Sequence, residues 1–71
     1  NMCSYKIIIE DMNCNHCAQK IKQAFENADD TAAVKINLAK KEVELDTDLT
    51  VEEICEVIEN AGYTFTDLQL L

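Results

Sequence analysis

Seventy-one residues with six Lys and Arg against fourteen Asp and Glu, a net charge of −8, make one small acidic domain (1–71) with a single thin core. That charge argues against nucleic acid or an anionic membrane as partner, and no apolar run approaches the roughly 20 residues of a membrane span. The start lacks the basic-then-apolar pattern of a signal peptide, so a cytosolic, cytoplasmic setting with reduced thiols is expected, Asn1 reading as a residue ahead of a natural start at Met2.

The first element is a strand. Tyr5, Ile7 and Ile9 alternate with Ser4 and Lys6, a half-buried pattern despite the extra apolar Ile8. Met12-Asn13-Cys14-Asn15-His16-Cys17 follows and opens a helix from about His16 to Ala28. Cys17, Ile21, Ala24, Phe25 and Ala28 recur at the spacing of one apolar helix face. The polar stretch Asn27–Thr31 reads as a turn. Ala32, Val34, Ile36 and Leu38 then alternate with Ala33, Lys35 and Asn37 in a second strand. Ala39-Lys40-Lys41 turns the chain without a glycine, which predicts a looser hairpin than a two-residue one.

Val43 and Leu45 alternate with Glu42, Glu44 and Asp46 in the third strand. Thr50-Val51-Glu52-Glu53 has capping-box spacing, and Val51, Ile54, Cys55, Ile58 and Ala61 form the stripe of a second helix. Gly62 is placed to end that helix in the left-handed conformation, and Tyr63-Thr64-Phe65-Thr66 reads as the last strand. The order βαββαβ predicts an α+β, ferredoxin-like sandwich: a four-stranded antiparallel sheet with two helices on one face.

The chemistry is concentrated at Cys14 and Cys17. Two thiols at a helix entry feel the positive end of the helix dipole and nearby backbone N–H groups, and both favour the thiolate that binds metal. A C-x-x-C pair can be half of a zinc site, a redox couple, or a two-thiolate site for a soft ion. Structural zinc calls for a second ligand pair; Cys3 and Cys55 lie on separate elements, and His16 is the one histidine. Neither does the spacing of the four cysteines suggest a disulfide framework. A thioredoxin-like thiol oxidoreductase pairs its active site with a cis-proline, and this chain has no proline. What remains is a pair suited to Cu(I), which thiolates select and which accepts near-linear coordination. No general base, nucleophile–histidine pair or phosphate-binding glycine loop accompanies the pair, so no enzymatic activity is indicated.

Ile9-Glu10-Asp11-Met12-Asn13-Cys14-Asn15-His16-Cys17 resembles the metal loop V-x-G-M-x-C-x-x-C of the heavy-metal-associated domain family. That family includes copper chaperones, the amino-terminal domains of copper-transporting P-type ATPases, and mercury-binding relatives. Val34–Leu38 and Ile58–Tyr63 resemble its second strand and second-helix exit. The resemblance implies that Cys14 and Cys17 are metal thiolates, that Met12 packs beneath the loop, and that His16 and Tyr63 flank the site. It also implies transfer of one Cu(I) by ligand exchange to a P-type ATPase or similar protein with a C-x-x-C site, from a monomer or a metal-bridged dimer. Service as the amino-terminal domain of such a transporter is the alternative.

Asp11 departs from the family's glycine. It reads as a turn former able to tolerate φ > 0, or as an added hard ligand that would favour Zn(II) or Cd(II). On sequence alone Zn(II), Cd(II) and Hg(II) stand beside Cu(I). Cys55 reads as a small core hydrophobe, Cys3 as idle, and Lys20 and Lys22 as solvated or as contacts for an acidic partner surface.

Overall fold

A computed structural model describes residues 2–71, and Asn1 lies outside them. The chain runs β1 (Cys3–Ile8), α1 (Asn15–Ala28), β2 (Ala33–Asn37), β3 (Glu42–Thr47), α2 (Val51–Asn60) and β4 (Asp67–Leu70). The strands form one antiparallel sheet in the order β2-β3-β1-β4, the ferredoxin-like arrangement expected from the alternation of periods. No helix among the described residues is long and apolar enough to cross a membrane.

One face of the sheet supplies Tyr5 and Ile7 from β1, directly opposite Leu45 and Val43 of β3. Ile21 and Phe25 of α1, Ile54 and Ile58 of α2, and Ile9 and Met12 from the loop after β1 complete the same core. Lys6, Lys35, Glu44 and Asp46 fall at the alternate positions, on the outer face. The period-2 pattern thus fixes which face is covered, and a one-residue slip would turn the apolar set toward water.

The entry to α2 combines two local signals. Thr50 accepts from the Glu53 N–H at 3.1 Å while Glu53 accepts from the Thr50 N–H at 2.9 Å, a complete capping box. Leu49 and Ile54 occupy the two hydrophobic-staple positions, and both pack into the core. Val51, expected on the buried stripe, is 46% exposed. It stands in the first helical turn, where Leu49 already supplies the apolar contact. Ala28 is likewise exposed, because it is the final residue of α1.

The last strand lies further along the chain than its aromatic content suggested. Residues 63–66 are not its body; Asp67–Leu70 pair with Ile8–Tyr5. The ladder of β1 ends at Ile8, so residues 63–65 have no strand beside them to pair with. Tyr63 and Phe65 pack against the core from an irregular segment, and the Thr66 N–H reaches Ile8 O at 2.9 Å to start the pairing.

At the pole where α1 ends, Asp29 ties three segments together. Its carboxylate accepts from the Thr31 hydroxyl at 2.6 Å, the Thr31 N–H at 3.0 Å, the Thr47 hydroxyl at 2.6 Å and the Asp48 N–H at 3.1 Å. Those bonds, led by the one from the Thr31 hydroxyl, hold its pKa far below the ordinary carboxylate value. Thr47 is the one buried polar side chain among the described residues, and its hydroxyl is satisfied.

Candidate metal centre

The site grows from the connection between β1 and α1. After Ile9 the chain turns, closed by Met12 N–H to Ile9 O at 3.2 Å. Asp11 sits in this turn, exposed. Positive φ among the described residues occurs only at Lys41 and Gly62, so this turn makes no left-handed demand on Asp11. Met12, next in sequence, is fully buried, and its side chain joins the core beneath the loop.

Cys14 is the N-cap of α1, in extended backbone at φ −150° and ψ 168°. Its sulfur takes the place of the usual oxygen cap, accepting from the Cys17 N–H at 3.4 Å. The Ala18 N–H closes the first helical turn onto Cys14 O at 3.1 Å. This cap brings the two sulfurs to 3.3 Å, Cys14 exposed and Cys17 half-buried.

Cys17 is the thiol held below its ordinary pKa. Its pKa is brought down to about 7, first by the Tyr63 hydroxyl, then by the Cys14 thiol, with backbone at Asn13 and Cys14 adding to them. The Tyr63 hydroxyl is correspondingly pushed up to about 12, chiefly because it donates to the Cys17 sulfur. The Asp11 charge raises Tyr63 in the same direction.

Tyr63 reaches this position through the helix that precedes it. The Gly62 N–H bonds Glu59 O at 3.0 Å and the Tyr63 N–H bonds Ile58 O at 3.1 Å, a Schellman exit with Gly62 at φ 92°. The reversal folds Tyr63 back onto the core at Cys17. Lys20 of α1 stands with its Nζ 5.9 Å from the Tyr63 ring centroid, within cation–π range. Sequence placed Tyr63 near the loop by resemblance alone; the glycine-driven exit is the physical reason.

Among the described residues, the remaining sequence candidates form no group of three metal-binding side chains with the pair. His16 is an exposed first-turn residue. Cys3 is exposed at the far end of β1, six residues and about 20 Å of strand from the loop. Cys55 is half-buried on α2, and all four cysteines are free thiols. Among the described residues no three His, Cys, Asp or Glu side chains gather where they could hold a metal, so neither Asp11 nor His16 completes a zinc-type cluster with the thiols.

Sequence reasoning missed Lys41. This residue ends the β2–β3 turn at φ 55°, and its ammonium donates to Asn13 Oδ1 at 2.7 Å and Met12 O at 3.5 Å. A charged residue in a glycine-free turn is a faint signal, because it does not say which distant loop the side chain reaches.

The structure thus sets two thiols 3.3 Å apart on the strand-to-helix loop of a ferredoxin-like sandwich. Residues 6–64 match the heavy-metal-associated domain, and the chain belongs to that family. A copper chaperone CopZ of Staphylococcus haemolyticus (strain JCSC1435) is 32% identical over 60 residues, which cover 80% of this chain and 88% of that protein. Among solved structures, a copper chaperone Atx1 from Synechocystis PCC6803 superposes with a TM-score of 0.83 at 28% identity, covering 86% of this chain and 97% of that one. A gold binding protein superposes with a TM-score of 0.82 at 30% identity, covering 86% and 94%.

Proposed function

We propose that this domain carries one Cu(I) between Cys14 and Cys17 and hands it to a partner by thiolate exchange. The observation that carries the reading is the sulfur pair itself: two thiols 3.3 Å apart with no third ligand clustered beside them among the described residues. Such a pair meets the needs of an ion content with two sulfurs and leaves tetrahedral Zn(II) short of ligands. Similarity to copper chaperones and to a gold binding protein supports the same preference for soft ions.

The two sulfurs divide the work. Cys17, half-buried beneath Tyr63, is the anchored thiolate, ionised for much of its population near neutral pH. Cys14 is the more exposed of the two, its sulfur held by the Cys17 N–H at 3.4 Å. Near-linear coordination would place the two sulfurs on opposite sides of the ion, farther apart than their 3.3 Å here, so loading would open the pair. Rotation of Cys14 away from the Cys17 N–H supplies that movement at the cost of one weak sulfur cap.

An incoming partner thiolate adds to the metal while both original bonds persist. Cys14 then leaves, and the partner's second thiolate displaces Cys17. The metal keeps its charge throughout and no electron moves. The natural acceptor is a protein with a similarly open C-x-x-C site, a heavy-metal-transporting P-type ATPase in the cytoplasm being the reading that fits the family. Exposed His16, Lys20 and Lys22 lie on the helix that begins at the site, where a docking protein would meet them.

Replacement of both ligands, Cys14→Ser with Cys17→Ser, tests the assignment. Serine is a better N-cap than cysteine, so the double variant keeps its fold by circular dichroism while Cu(I) binding is lost. Undiminished Cu(I) affinity in that folded variant would overturn it.

A further inference from the structure

We propose that Lys41 is a positioning residue for the metal loop, its ammonium fastening the β2–β3 turn to the peptide just ahead of Cys14. The proposal rests on the copper reading above for its function and on independent geometry for its existence. Three bonds join the turn to the loop. The Ile9 N–H donates to Lys41 O at 2.9 Å, and Lys41 Nζ donates to Asn13 Oδ1 at 2.7 Å and to Met12 O at 3.5 Å. The segments are 28 and 29 residues apart in sequence, so these bonds are tertiary cross-links rather than local turn geometry.

The backbone of Lys41 is informative in its own right. It is the one non-glycine residue with positive φ among the described residues, at 55°. Glycine would adopt that conformation without the steric penalty of a Cβ, and asparagine with less of it. A lysine there trades backbone comfort for what its side chain does, and the contact the structure gives that side chain is with the metal loop. Local rules broken in this way concentrate at functional sites.

The mechanical consequence follows from the two-ligand site. An ion held by only two sulfurs imposes little order on its loop, so the protein must hold that loop itself. Met12 anchors it from below through the core, and Tyr63 holds the Cys17 side. On the Cys14 side the strap is Asn13, tied to Lys41. Releasing the strap lets the peptide ahead of Cys14 wander, which shortens the lifetime of bound Cu(I) and leaves the core untouched.

Lys41→Gly separates this role from a merely structural one, because it relieves the backbone and removes the ammonium together. The metal-free variant should melt no lower than the wild type yet release Cu(I) to excess bathocuproine disulfonate about threefold to tenfold faster, the range expected for one exposed charge-assisted bond. Lys41→Met, which keeps the stem, should release as fast as Lys41→Gly, and Lys41→Arg should restore slow release. Asn13→Ala should match Lys41→Met, and the pair combined should add nothing further. Wild-type release rates in both Lys41→Gly and Lys41→Met would overturn the proposal.

If the wild type itself retains no Cu(I), the copper reading fails and the strap is judged without metal, by amide hydrogen exchange across Asn13–Cys17. Faster exchange in Lys41→Met then supports the strap, and unchanged exchange overturns it.

Discussion

Replacing Tyr63 with Phe removes a single hydroxyl and tests how the pair is activated. Tyr63 is the largest of four contributions that lower the Cys17 pKa to about 7, so the largest single loss is expected from removing it. At pH 7 such a thiol is about half ionised, whereas an ordinary cysteine of pKa about 8.5 is ~3% ionised. Full loss of activation would therefore cut the thiolate population roughly fifteenfold, and loss of the Tyr63 share alone several-fold. The ring remains, so packing against the core is preserved. The assay is the pH profile of iodoacetamide alkylation at Cys17 in metal-free protein, resolved from Cys14 by peptide mass. Its midpoint should move from about 7 in the wild type toward the ordinary thiol range in Tyr63→Phe. Because the lowered pKa favours the folded thiolate, metal-free stability should also rise from about pH 7 to about 8.5, and that slope should flatten in the variant. An unchanged alkylation midpoint would refute the assignment of Tyr63 as hydrogen-bond donor to Cys17.

Gly62→Ala leaves the added methyl with nothing inside 4 Å, so its cost is the left-handed backbone alone. That is about 1–2 kcal/mol, or a thermal midpoint roughly 4–15 °C lower, with Gly62→Asn milder; differential scanning calorimetry reads both. Met12→Leu should cost less than about 1.5 kcal/mol and keep Cu(I) affinity within about twofold, because Met12 is fully buried in the core, whereas Met12→Ala should lose about 2–5 kcal/mol in urea melts. Asp29→Asn should lower the thermal midpoint, since an amide nitrogen cannot accept from the Thr31 or Thr47 hydroxyl. The wild-type contribution of Asp29 is fully present above the unfolded carboxylate pKa of about 3.9 and drains away as pH falls below it. Acid titration monitored by circular dichroism should therefore show a shallower loss of stability below about pH 4 in Asp29→Asn than in the wild type.

Much of the fold was legible because its signals are local. Val43 and Leu45 alternating with Glu42, Glu44 and Asp46 define a strand and its inner face, and Thr50 with Glu53 marks a helix start with a mechanism attached. The last strand was misplaced because aromatic residues suit both a strand and a packed irregular segment. The choice was made by where β1 stops, a tertiary fact absent from residues 63–66. Val51 misled for a similar reason: it has the right spacing, but it lies in the first turn, where Leu49 had already supplied the apolar contact.

At the centre, the cysteine pair could be read from its spacing, but the division between its members could not. Cys14 as a sulfur N-cap and Cys17 as the thiol of lowered pKa depend on the rotation of one helical turn and on a tyrosine distant in sequence. Asp11 looked like a conformational exception, yet its turn demands no positive φ; the residue carrying that burden is Lys41, across the molecule's turn. Side-chain reach between distant loops is the part of the site that periodicity does not encode.

The most direct measurement is a competitive titration of the metal-free, reduced protein with Cu(I) against a chelator, repeated with Zn(II) against a Zn(II) chelator. One Cu(I) per chain, held far more tightly than Zn(II) and lost together with Cys14 and Cys17, is the predicted result. Zn(II) bound as tightly as Cu(I), or Cu(I) retained at full affinity without the two cysteines, would contradict it.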